Sequence, residues 1–251
     1  MRSLIAAELL KLRTTRMLAV CAGVVILAAA ALPIFSGAMA GHHGEPALAP
    51  SSLAGFLRAP AQLTGGAVLL IGLLTAAGEF HHRTIFTARL EEPRTTRLLA
   101  AKLVTLAGVG VVVGLAMDAV ATAVGAIVLA RHHVAVEPLA HGLPRLAVLL
   151  PVVIALQGVL GVAVGALLRN TAAAVGATLV WAFIVEGILP LVTGQPHLTN
   201  WLPSGAIREI TSSHTATGQL RPVAAAAVLV AYTAALITAT AVLDRSRETD
   251  L

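Results

Sequence analysis

Six apolar runs divide this chain, at 17–35, 61–78, 103–130, 146–168, 172–192 and 223–243. An α-helix rises about 1.5 Å per residue, so roughly 20 apolar residues cross a hydrocarbon layer about 30 Å thick. A helix also satisfies its own backbone N–H and C=O groups, which lipid cannot do. The runs therefore predict an all-α polytopic membrane protein with six transmembrane helices and a single membrane domain over 1–251. The third run exceeds the layer and predicts tilt or projection. Of 251 residues, 57% are hydrophobic and only 12% charged, where a soluble chain carries about a quarter charged. Aromatic residues make up 3% of the chain, too few for the interfacial belts that set helix depth.

The connections carry the polar content. Met1 to Arg16 reads MRSLIAAELLKLRTTR, with Ile5, Leu9 and Leu12 on one helical face. Glu8, Lys11, Arg13 and Arg16 interrupt the apolar stretch that a signal peptide needs. The segment predicts an uncleaved amphipathic helix lying at the membrane interface. Glu79 to Lys102 is a polar stretch holding Arg83, Arg89, Arg94, Arg97 and Lys102. Within it, Thr84 to Leu90 predicts a helix of about two turns, closed by Pro93, which disfavours helical geometry at Glu92. Arg169-Asn170-Thr171 is so short that the fourth and fifth spans must form an antiparallel hairpin. Trp201, Leu202 and Ile207 are expected to pack against the spans or the bilayer, with a short helix over Ser204 to Ile210.

An even number of spans puts both termini on one side, and Lys and Arg decide which. The N-terminal segment, the 79–102 connection, Arg169 and the tail (Arg245, Arg247) hold twelve of the 17 basic residues. Arg58, Arg131, Arg145, Arg208 and Arg221 make five on the other side. The bias predicts cytoplasmic termini and a cytoplasmic 79–102 connection. The net charge of +5 does not signal nucleic acid, because the basic residues flank apolar runs rather than cover one polar face.

Three polar side chains fall inside spans: Asp118, Gln157 and Glu186. Each is read either as part of a substrate or proton route or as an interhelical hydrogen bond; for Glu186 the nearby Pro190 favours the second. Gly110, Gly114, Gly161 and Gly165 have the spacing of close helix packing. His132, His133, Glu137 and His141 form the densest histidine cluster, yet their spacing fits no zinc signature, so no metal is expected. No phosphate-binding loop of the form GxxxxGK[ST] is present, so ATP hydrolysis is not expected on this chain. HExxH and GxSxG are also missing, which argues against an intramembrane enzyme.

AELLKLRTTR before the first run, GEFHHRTIFTARLEEPRTTRLLAAKL between the second and third, GALLRNTAAAV at 165–175 and WLPSGAI at 201–207 together resemble bacterial type 2 ABC transporter permeases, the exporter class. The likeness covers nearly the whole chain and keeps the order of segments. It implies an N-terminal elbow helix at 2–13 with Ile5, Leu9 and Leu12, and a short cytoplasmic coupling helix near 84–90. Arg83, Ile85, Phe86, Arg89 and Leu90 would then meet the ATPase. It further implies a plasma-membrane homodimer or related heterodimer, partnered by separate ABC ATPase subunits that carry ATP and Mg. The chain itself would bind no cofactor and would not be an enzyme. Drugs, antibiotics, lipids and other hydrophobic compounds all fit such an exporter. An assembly scaffold or intramembrane enzyme is the competing class.

Overall fold

A computed structural model describes residues 1–14, 16–41, 47–81, 95–135, 143–194, 196–211 and 222–249. The described residues are helical, with no strand among them. Helix α1 spans Arg2–Thr14, α2 Arg16–Met39, α3 Ser52–His81, α4 Thr95–Arg131 and α5 Leu143–Leu168. Helix α6, Thr171–Val180, passes through a wide turn of π-helix, Trp181–Val185, into α7, Glu186–Thr193. A 3-10 segment, Pro196–Trp201, precedes α8, Pro203–Thr211, and α9 spans Pro222–Thr249. Among the described residues, six stretches are long and apolar enough to cross a membrane: Leu18–Met39, Ser52–Phe80, Thr96–Arg131, Leu143–Leu168, Thr171–Leu189 and Val223–Leu243.

Helix α5 is the hub. It packs on α3 and α4 most extensively and also on α9. Its apolar window is 61% buried inside the protein, against 11% for the α6–α7 stretch. The α6–α7 stretch, α2 and α9 therefore present most of their apolar surface outward, as with Phe183, Val192 and Val223. Lipid or another chain must cover that surface, because an exposed apolar face this large has no stable place in water.

Glycines set the helix spacing at the hub. A Cβ on Gly110 of α4 would sit 2.6 Å from the Ala155 Cα, and one on Gly114 2.7 Å from the Pro151 Cα. Gly161 and Gly165 of α5 lie against the carbonyl oxygens of Leu69 and Leu73 on α3. These are backbone neighbours, which cannot rotate away as a side-chain tip can. Gly161→Val is therefore expected to destabilise the bundle by at least about 1–3 kcal/mol, the range for overpacking, as a lowered melting temperature in lipid nanodiscs. Gly176→Val, at a glycine with nothing within 4 Å of its Cβ position, is the matched control.

Several helices run past their apolar runs. Helix α3 begins at Ser52, well before Ala61, and takes Arg58 and Pro60 into the helix. Arg58 is accommodated because its Nε donates a 2.7 Å hydrogen bond to the carbonyl of Thr211, the last residue of α8. Phe56 and Leu57 beside it are buried. Helix α2 continues through Pro33 to Met39. The α5–α6 turn is as short as the sequence requires. Arg169 takes a left-handed φ of 52°, and the Asn170 side chain accepts a 3.1 Å hydrogen bond from the Ala173 N–H, capping α6. Leu202 is buried and Ile207 packs at the edge of the α5–α8–α9 cluster, while Trp201 is exposed.

Candidate functional site

Four charged side chains from three helices meet at one end of the bundle. Glu8 and Lys11 stand three residues apart on α1, a spacing that puts them on one face. Glu79 lies near the end of α3 and Lys102 in the second turn of α4. Lys102 Nζ is 2.9 Å from Glu8 Oε2 and 2.6 Å from Glu79 Oε1. Lys11 Nζ is 2.8 Å from Glu8 Oε1 and 3.1 Å from the same Glu79 oxygen. Each ammonium thus bridges both carboxylates, and the four charges close a neutral ring. The Lys102 side chain is 6% exposed, Glu8 7% and Glu79 11%, whereas Lys11 caps the ring from outside at 53%. Burying such groups costs several kcal/mol per ion, and only multiple charge-assisted hydrogen bonds offset it.

The ring orients α1. Leu12 is 3% exposed and packs with Ile71, Leu106 and Val162, and Ile5 is half-buried. Leu9, expected on the same face, is 49% exposed, and Leu10 beside it 62%. The inward face therefore carries a carboxylate, and two leucines point out. Attraction of Glu8 to Lys102 sets the helix rotation, and the displaced leucines suit a lipid interface.

Burial raises the Glu8 carboxyl, but Lys102 and Lys11 outweigh it and hold the group below its ordinary 4.5. Burial likewise lowers Lys11, but Glu8 and Glu79 outweigh it and hold the ammonium above its ordinary 10.5. A depressed acid stabilises the fold above its unfolded value and loses that contribution as pH falls. A raised base stabilises below its unfolded value and loses that contribution as pH rises. Glu8 therefore makes its full contribution above about pH 4.5 and Lys11 below about pH 10.5. Acidification below that window is expected to release α1 before the spans melt, seen as faster hydrogen exchange across Ala6–Lys11 than across α5.

Beside the ring, the Arg169 guanidinium lies over the Phe80 ring at 5.1 Å, a cation–π contact joining the α5–α6 turn to the end of α3. The same end of the bundle thus carries the two posts of the basic connection: α3 stops at His81 and α4 starts at Thr95. Arg83, Ile85, Phe86, Arg89 and Leu90 belong to that connection and lie outside the described residues.

The three intramembrane polar residues are not brought together. Glu186 has donors at both oxygens: its Oε1 accepts 2.8 Å from Trp181 Nε1 and its Oε2 accepts 3.1 Å from the backbone N–H of Ser204. It therefore caps the first turn of α8, where a carboxylate meets unsatisfied N–H groups and the positive helix end. Trp181 in turn packs edge-on to Tyr232 of α9, with centroids 6.5 Å apart. Gln157 is 9% exposed and its amide fills the space where a Cβ on Gly65 of α3 would be. Its neighbour Gly158 meets the Leu106 carbonyl of α4. Asp118, also on α4, is 12 residues beyond Leu106, about 18 Å along the helix axis. Asp118 and Gln157 therefore occupy different levels of the bundle.

Glu8, Lys11 and Glu79 are functional candidates that sequence reasoning passed over, although it placed all of them in polar segments. The Glu8–Lys11 spacing was the available signal; the contact with Glu79 and Lys102 is made only by folding. No family model matches this chain, and no curated protein matches it.

Proposed function

We propose that this chain is the membrane-spanning permease subunit of an ATP-driven exporter of the type 2 ABC class. The observation that carries the reading is the four-charge ring. It binds the N-terminal helix to both posts of the basic connection 82–94. A partner that pushes on that connection moves α1, α3 and α4 together, because the ring ties them. Apolar Ile85, Phe86 and Leu90 suit a docking patch, with Arg83 and Arg89 steering an acidic partner surface. The Lys and Arg bias supports a cytoplasmic position for this end, where ATP is available. Two permease copies would enclose the route between their outward apolar faces. ATPase closure would then shift the pair between inward- and outward-facing states by favouring one of them. Substrates would be drugs, antibiotics, lipids or other hydrophobic compounds.

The experiment is co-expression with any ABC ATPase whose reading frame adjoins that of this chain, followed by purification and reconstitution. A stable complex whose ATPase rate rises with a hydrophobic substrate is the expected result. A chain that purifies without any ATPase, or with one whose rate ignores the membrane subunit, overturns the proposal and favours an assembly scaffold.

A further inference from the structure

Asp118 has no structural explanation of the kind found for Glu186. It lies on α4 between Gly114, packed on Pro151, and Gly125, packed on Leu53 and Phe56. Its helix neighbours Met117 and Ala121 are fully buried, in a cluster with Leu57, Leu150 and Ile154. The residue is 6% exposed. Among the described residues, no N–H or O–H donor reaches either carboxyl oxygen.

Among the described side chains, the charged groups on the helices packed against α4 pair elsewhere or face outward. Glu8, Lys11 and Glu79 close the ring with Lys102, and Arg58 reaches α8. Arg2, Arg13, Arg16 and Arg145 are exposed. Cys21 of α2 packs with the cluster that holds Leu12 and Leu106. Among the described residues no group of three His, Cys, Asp or Glu side chains stands together to hold a metal ion.

An ionised carboxylate in such a place lacks both a counter-charge and a donor, and its burial costs several kcal/mol even after relaxation. A protonated carboxyl is far cheaper to bury, because it carries no net charge. A hard metal cation would need several oxygen ligands around it, whereas a proton needs one. We propose that Asp118 is a proton-binding site, protonated in this packed form and ionised only when α4 parts from its neighbours and water enters. On opening, the carboxyl O–H bond breaks, its electron pair stays on the carboxylate, and the proton passes to water. Opening of the bundle is then coupled to proton release and favoured by alkaline pH. The inference stands apart from the exporter reading, since it concerns this chain alone.

The test is infrared spectroscopy on the purified full chain in lipid nanodiscs at neutral pH, in H2O and D2O. The chain has only three aspartates, Asp118, Asp244 and Asp250, so carboxyl-labelled aspartate in a D244N/D250N background isolates the group. The expected result is a carbonyl band of a protonated carboxylic acid that shifts in D2O and is missing from D118N. A labelled spectrum holding carboxylate bands alone overturns the proposal without any change at position 118.

Discussion

Lys102→Met is expected to cost about 3–5 kcal/mol, the range for breaking a buried ion pair by removing one partner. Lys102 is the least exposed member of the ring and bridges Glu8 and Glu79 at 2.9 and 2.6 Å. Methionine fills much of the same volume, so little of the loss is a cavity. What remains is two buried carboxylates that have lost their shared ammonium while keeping half-exposed Lys11. The easiest relief is release of α1 from the bundle, which gives Glu8 to water. The expected observation is a lowered unfolding free energy together with loss of hydrogen-exchange protection over Ala6–Lys11. Lys102→Met with Glu79→Gln leaves one carboxylate facing one ammonium and should recover a substantial part of the loss. If the double variant is no better than the single one, the energy lies in packing of the Lys102 stem rather than in the ring. A complex with the ATPase should also become uncoupled in the single variant, with ATP turnover retained and transport lost.

If the proposed exporter function holds, Phe86→Asp is expected to weaken ATPase binding by about 2 kcal/mol or more, the usual scale for a central aromatic anchor. Phe86 is the one aromatic residue in the 84–90 segment, and Leu90 follows four residues later, a spacing that would put both on one face of the short helix the sequence predicts there. An aspartate there places a charge where the partner must be desolvated. Insertion and folding of the six spans should be unchanged, because the substitution lies outside all of them. Co-purification of the ATPase and substrate-stimulated turnover are the measurements. An ATPase that stays bound and coupled to the Phe86→Asp protein places the anchor elsewhere and leaves 84–90 as an interfacial helix. On the proposed exporter function the two variants should be separable: Lys102→Met is expected to transmit poorly after docking, whereas Phe86→Asp is expected not to dock.

Sequence alone determined the helical, membrane-spanning character of this chain. Hydrocarbon leaves a backbone few alternatives, and an apolar run of sufficient length carries that information locally. The last span, for example, occupies Val223–Leu243, the bounds of the apolar run itself. Where helices overran their apolar runs, the cause was tertiary. Arg58 looks like a boundary until the Thr211 carbonyl is brought to it, and no local rule predicts a partner 153 residues away. The same holds for α1. Periodicity grouped Ile5, Leu9 and Leu12, but folding turned Leu9 outward because the pull between Glu8 and Lys102 outweighs one leucine's burial. In sequence Glu186 and Asp118 were both carboxyls in apolar runs, told apart only by Pro190 near Glu186. The tertiary structure supplied Trp181 and Ser204 as donors to Glu186 and, among the described residues, no donor to Asp118. Charge inside a membrane is decided by what stands opposite it, and that is a property of the packed bundle rather than of any segment.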